Sequence, residues 1–335
     1  MASIMTNTSA MTALQSLNST NRSLDVTQAR ISTGFRVGSA EDNAAYWSIA
    51  TTMRSDNGAL STVKDALGLG AATIDVAYTG MNMAIEVAKE IKNKLVAARQ
   101  PGIDREKVQS EVNELQNQLL SVSSSSVFSG ENWLSVDSSL ATYNATKSIV
   151  ASFSRSGGSV SIGTISIDLT ATELIDSSDQ SGILDSEDTT ANGGVTYSIT
   201  TLDISAITDT DDDLADLEQM ISWVDTGISS MTTAASNLGA VKQRTNMQRE
   251  FVSSLMDAIN RGIGALVDAD MNEESTRLQA LQVQQQLGSI AIRWSESLKS
   301  NRTASTTTGC GQKQIVDLTW LVATRRINFV ANSKR

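Results

Sequence analysis

The chain has 335 residues, a formal net charge of −11, no histidine, one cysteine (Cys310) and one proline (Pro101). The absence of histidine removes the usual general base near neutral pH, the commonest metal ligand and any Ser-His-Asp triad. A single cysteine excludes an intrachain disulfide, and the acidity argues against a phosphate-backbone partner.

In chain order, the N-terminal MASIMTNTSAMTAL lacks the basic start and continuous apolar stretch of a secretory leader. Leu17, Leu24 and Ile31 recur at sevens, with Leu14 three residues before the first, which predicts a helix over about Ala10–Thr33 with a heptad seam. Gly34 and Gly38 bracket a break. Ser39 is placed to cap the next helix, with Asp42 three residues on as in a capping box, and that helix is expected to run to about Gly58. Ala66–Ile85 is the most apolar long stretch, but Asp75 and its Gly, Thr and Asn content make it a helix pair or a turn, not a membrane span. Ala84, Ala88, Ile91, Leu95 and Ala98 hold 3–4 spacing up to Gln100-Pro101-Gly102. Val108, Val112, Leu115, Leu119 and Val122 hold it afterwards, so two neighbouring helices are expected.

The serines of SVSSSSVFSGENW end the helical texture. From about Asp137 to Asp209 the composition is Ser-, Thr-, Gly- and Asp-rich. Ile165, Ile167 and Leu169 alternate with polar residues, as do Val195, Tyr197 and Ile199, which reads as strands of a small β-rich insert. Helix returns at about Asp213. Leu238, Val252, Ile259 and Leu266 fall on a seven-residue lattice with Thr245 as its polar member, and Val241 and Leu255 follow lattice points by three. Neither helical arm buries a one-sided stripe alone. The expected fold is mainly α: an elongated rod in which the N-terminal arm packs on the C-terminal arm, with the insert at the far end.

Motifs for chemistry fail on their own spacing. GLGAAT (Gly68–Thr73) lacks the third glycine of a dinucleotide turn and has no preceding strand. DTDDDLADLEQM (Asp209–Met220) begins like a calcium loop, but Leu214 holds the glycine position and Met220 the bidentate one, which leaves an acidic helix N-terminus. There is no P-loop and no nucleophile elbow. The expectation is a non-enzyme with no catalytic, cofactor or metal residues.

One stretch carries more. LNSTNRSLDVTQARISTGFRVGSAEDNAAYWSIATTMRSD (Leu17–Asp56) strongly resembles the N-terminal region of bacterial flagellins, and its Tyr46-Trp47 pair is similar to the alphaproteobacterial soil-bacterial branch. SNLGAVKQRTNMQREFVSSLMDAINRGIGALVDADMNEESTRLQALQVQQQLG (Ser236–Gly288) is similar to the family's C-terminal region. The resemblance implies an extracellular structural subunit of the flagellar filament, used for motility. It also implies export without a cleaved signal and polymerisation at the filament tip. The partners it implies are other flagellin subunits, the export apparatus and an export chaperone, the filament cap and host immune receptors, with no nucleic acid and no membrane insertion. A hook–filament junction or cap protein is the alternative.

The implied division is an inner-tube helix over 1–40, rod helices over 41–136, a variable outer domain over 137–209, rod helices over 210–270 and the start of the C-terminal inner helix over 271–288. Leu14, Leu17, Leu24, Ile31, Leu238, Val252, Leu255, Ile259 and Leu266 are expected to form the assembly seam. Gly34, Gly38, Ser39 and Asp42 form the joint, with the two glycines supplying permitted backbone angles. Phe35, Val37, Gly38 and Tyr46-Trp47 depart from the wording that immune receptors commonly sense, as does Met83–Ala98.

After Gly288 the family pattern breaks. Over 289–335 the basic residues are Arg293, Lys299, Arg302, Lys313, Arg325, Arg326, Lys334 and Arg335, against Glu296 and Asp317 only. Two of the five tryptophans and the cysteine also lie there. A change of reading frame gives such a shift; an appended module and a divergent terminal helix are the alternatives. A polar break is expected from Thr303, then an apolar cluster at Leu318, Trp320, Leu321 and Val322.

Overall fold

A computed structural model describes residues 8–141, 143–156 and 158–307. It is mainly α, with five helices: α1 (Thr8–Thr33), α2 (Ala44–Ala98), α3 (Arg105–Ser125), α4 (Asp211–Val267) and α5 (Met271–Thr307). Between α3 and α4 lie eight strands, β1 (Val127–Phe128), β2 (Glu131–Asn132), β3 (Ser135–Val136), β4 (Thr146–Ser156), β5 (Ser159–Asp168), β6 (Ile175–Asp176), β7 (Asp188–Thr189) and β8 (Thr196–Tyr197). The chain forms two units: residues up to Ser48 together with those from Ala265 onward, and Ile49–Gly264.

In the larger unit, the run read as three pieces is one helix. α2 continues through Gly58, Gly68, Gly70 and Gly80, and the apolar stretch Ala66–Ile85 is its middle, neither a pair nor a turn. Glycine disfavours a helix interior by about 1 kcal/mol relative to alanine, but burial outweighs it here. Leu60, Leu67, Ile74, Met81, Ala88 and Leu95 are buried at strict sevens along α2, and Leu217, Val224, Met231, Leu238, Thr245 and Val252 along α4. Sevens keep one stripe on one side of a helix. Among the described residues no helix is long and apolar enough to cross a membrane.

α2 ends at Pro101-Gly102, where Gly102 takes a φ of +83°, and Asp104 caps α3 by accepting from the Lys107 N–H at 3.4 Å. Arg105 is buried and ties this corner together. Its Nε donates to the Ala98 carbonyl at 3.2 Å, and its other nitrogens to the Ile207 carbonyl at 3.2 Å and Asp209 Oδ1 at 2.6 Å. Asp209, the first residue of the rejected calcium loop, is thus an ion-pair partner. Asp211–Asp213 form the acidic first turn of α4.

The strands pair in twos, β1–β2, β3–β6, β4–β5 and β7–β8, with β3–β6 parallel. Ile165 and Ile167 are buried on β5, as the alternation predicts; of the second set Tyr197 and Ile199 are buried and Val195 is exposed. The insert does not all lie at one end of the helices. Ile149 of β4 lies against Gly70, Gln248 of α4 donates to the Ala151 carbonyl at 3.0 Å, and Arg155 pairs with Asp56 at 2.8 Å. The β4–β5 hairpin therefore runs along α2 and α4.

Candidate assembly surface

In the smaller unit the joint begins where α1 ends. Gly34 adopts φ +75° and its N–H donates to the Arg30 carbonyl at 2.8 Å, a glycine stop. Phe35 then forms a bridge with Asp268, and the N–H groups of Arg36 and Val37 both donate to the Val267 carbonyl, at 2.7 and 3.1 Å. Arg36 Nη2 donates to the Leu266 carbonyl at 2.9 Å, so a guanidinium from the N-terminal segment satisfies the open end of α4. Val37 is buried.

Two expectations for the joint are corrected. Gly38 is not in the left-handed region, so only Gly34 needs glycine for its backbone angle. Ser39 does not cap α2. Asn43 does, its Oδ1 accepting from the Ala45 and Tyr46 N–H groups at 3.1 Å each. Asp42 instead reaches back to accept from the Gly38 and Ser39 N–H groups at 2.9 and 3.0 Å. The Ser39 and Gly38 amides hold its carboxyl below the ordinary value of 3.8.

α5 begins on Asp270, whose Oδ1 accepts from the Asn272 N–H at 2.8 Å, and it then pairs antiparallel with α1. Arg30 meets Glu274 at 3.0 Å, Gln285 Nε2 donates to Asn21 Oδ1 at 2.8 Å, and Leu17 lies over Gly288. Leu24 and Thr27 are buried between these levels. The helix passes Gly288 without interruption and is still helical at Thr303, where a break was expected. Cys310 and the cluster from Leu318 to Val322 lie outside the described residues.

The nine seam residues fall in two places. Leu24 is buried, Leu17, Ile31 and Leu266 are half-buried and Leu14 is exposed in the smaller unit. Leu238 and Val252 are buried in the larger unit, where Leu255 and Ile259 pack against its core. Sequence reasoning missed a second face of α5. Val283, Leu287, Ile290 and Trp294 are 55, 60, 48 and 70 % exposed. Their 4-3-4 spacing makes one stripe, half a turn from the Glu274–Gln285–Gly288 face that meets α1. The stripe spans the composition break at Gly288, which hid it.

Among the described residues no group of histidine, cysteine, aspartate and glutamate is placed to hold a metal ion. On α5 the exposed large apolar side chains include Val283, Leu287, Ile290 and Trp294, set among polar neighbours such as Gln284, Gln286 and Ser289.

The chain matches the family model described as the bacterial flagellin N-terminal helical region over residues 4–138 and the C-terminal helical region over 221–296, the latter passing the Gly288 break. Flagellin C of Rhizobium meliloti (strain 1021) is 51 % identical over 321 residues, covering 89 % of this chain and 98 % of the relative. Flagellin A of the same strain is 42 % identical, covering 90 % and 98 %. The flagellin of Brucella melitensis biotype 1 is 42 % identical, covering 87 % and 94 %. An α1–α5 pair held by the two matched ends of the chain, and those matches themselves, lead to one conclusion: the chain belongs to the bacterial flagellin family, whose members are the structural subunits of the flagellar filament.

Proposed function

We propose that this subunit polymerises through the outward stripe of α5, with a neighbouring copy covering Val283, Leu287, Ile290 and Trp294. The single observation that carries this reading is the pair of faces on α5, one on α1 and one bare. A contiguous exposed apolar stripe is unfavourable on a free monomer. Burying each such side chain yields roughly 1.5–3 kcal/mol, less the cost of association. A contact of this kind between unlike surfaces repeats without closing and gives a helical polymer. The family matches favour the filament subunit over the junction or cap alternative. Export in an unfolded or partly folded state, the chaperone and the filament cap belong to the same reading, as does the division of the chain into inner-tube, rod and outer segments.

The test is sedimentation of the purified chain against Leu287→Asp. The side chain is exposed in the monomer, so helical content is expected to stay, while a carboxylate in a closed apolar contact costs several kcal/mol and filaments are lost. Filaments from Leu287→Asp at the parent concentration would refute the assignment of the stripe.

A further inference from the structure

The heptads of α2 and α4 leave their mutual register open. Buried residues at strict sevens on both helices mesh equally well after a slide of seven residues, about 10 Å. Interhelical polar pairs define the register that is adopted: Asn57–Asn260 at 2.7 Å, Lys64–Ser253 at 3.3 Å, Asp75–Lys242 at 2.7 Å and Lys92–Asp225 at 2.5 Å. In each pair the two residue numbers have the same sum, so there is no slip along this length. These pairs do not, however, choose between registers. A slide one way sets Asp75 opposite Arg249 and Arg99 opposite Asp225. A slide the other way sets Lys92 opposite Glu218 and Arg99 opposite Asp211. Exposed pairs contribute little to stability, and the slipped sets replace much of what is lost.

The geometry points to the segment between α3 and α4 as the register gauge of the helices. Gly70 on α2 and Gly227 on α4 are both buried, three residues after a buried lattice residue, and leave room on the packed side of each helix. Each gap is filled from the β-segment. A β-carbon on Gly70 would lie 2.6 Å from two atoms of Ile149, and one on Gly227 would collide with Ile199. β4 ties both helices at one level. Ile149 keys α2, and two residues on, Ala151 falls at the bulge of the hairpin, unpaired in its ladder, with its carbonyl accepting from Gln248 of α4. A bulge frees a backbone group that burial obliges to find a partner. At another level the Ile199 carbonyl accepts from Gln116 of α3 at 3.1 Å, so the residue that keys α4 also holds α3. A seven-residue slide would draw Gly70 and Gln248 apart while β4 spans them, which it cannot follow.

Cysteine pairs read the register directly. In a Cys310→Ser background, Lys64→Cys with Ser253→Cys reports the native register, and Lys64→Cys with Asn246→Cys or Asn260→Cys reports the slipped ones, after copper-phenanthroline oxidation of the full-length monomer. With the keys intact only the native pair is expected to close. With Ile149→Ala, Ile199→Ala and Gln248→Ala combined, the slipped pairs are expected to close to an extent comparable with the native one. Closure of the native pair alone in that key-less chain, with helicity retained, overturns the proposal. If the key-less chain loses its helicity, the reciprocal variant decides: Asp75→Ala, Lys92→Ala and Arg99→Ala with all keys present must keep the native pair only, and slipped closure there overturns the proposal.

Discussion

Arg30→Ala tests how the terminal pair is held. The Glu274 side chain is only 6 % exposed, and its strongest donor is Arg30 Nη1 at 3.0 Å from the other helix. Arg277, on α5 itself, lies at 3.5 Å and is half exposed. Removing Arg30 strands a buried carboxylate with one weak partner. Breaking a fully buried pair costs about 3–5 kcal/mol, and a charged hydrogen bond about 1.5–3. Arg30 is about a quarter exposed and Arg277 remains, so the lower range applies, about 2 kcal/mol. Where α1 and α5 close on each other only as a subunit adds to the filament, that loss raises the critical concentration roughly 30-fold. The assay is the unpolymerised fraction after sedimentation across a concentration series. Arg30→Met with Glu274→Met removes both charges and should recover most of the loss, because two apolar side chains leave no uncompensated carboxylate. An unchanged critical concentration in Arg30→Ala would refute the reasoning, as would a double variant no better than the single one.

Three further outcomes follow from particular contacts. Gly70→Ala should lower the unfolding free energy of the larger unit by about 1–3 kcal/mol through the clash with Ile149, despite alanine's helix propensity; Gly58→Ala, with nothing within 4 Å, should raise it by about 0.5–1 kcal/mol, both read from urea melts. At the joint, Asp42 has a folded-state pKa below its ordinary 3.8, so its contribution is present above that value and disappears as pH falls through the lowered one. The protection of the Gly38 and Ser39 amides, their exchange measured relative to an unstructured chain at the same pH, should hold at pH 3.8 and fall only below it, and in Asp42→Asn it should be reduced throughout. In the β-segment, burial raises the Glu173 carboxyl above its ordinary 4.5 and pushes the Tyr143 hydroxyl beside it up to about 12. A raised carboxyl favours the folded state while protonated, so stability should fall as pH climbs from 4.5 through the raised value. Glu173→Gln should flatten that fall in urea melts, and an unaltered slope would contradict it.

What could be read from the sequence depended on whether local pattern and tertiary contact agreed. α1 was legible because Leu17, Leu24 and Ile31 sit at sevens between a polar start and Gly34. α2 was read as pieces because its glycines mark breaks in isolation. At Gly70 and Gly80 those glycines accommodate Ile149 and Leu134, partners that no local window contains. The Ser39–Asp42 spacing was read correctly as a hydrogen-bonding unit but given to the wrong helix start, since Asn43 is equally competent to cap and lies next to the first helical residue. β4 carries Ile149 and Ala151 among serines and passed unread, because Ile149 packs on Gly70 of α2 and the Ala151 carbonyl on Gln248 of α4, partners far away in sequence. The outward stripe of α5 was lost for another reason: a compositional boundary was drawn through it, although the 4-3-4 spacing of Val283, Leu287, Ile290 and Trp294 does not change across Gly288.

On the proposed reading this stripe is bare in the monomer and covered in the polymer. Ile290→Cys in a Cys310→Ser background allows a direct reading, by the rate of maleimide labelling before and after polymerisation. Val160→Cys, on the exposed face of the β4–β5 hairpin, serves as the reference. Rapid labelling of both sites is expected in the monomer and, in sedimented filaments, protection at residue 290 with labelling at residue 160 retained. Equal labelling of residue 290 in monomer and filament would contradict it.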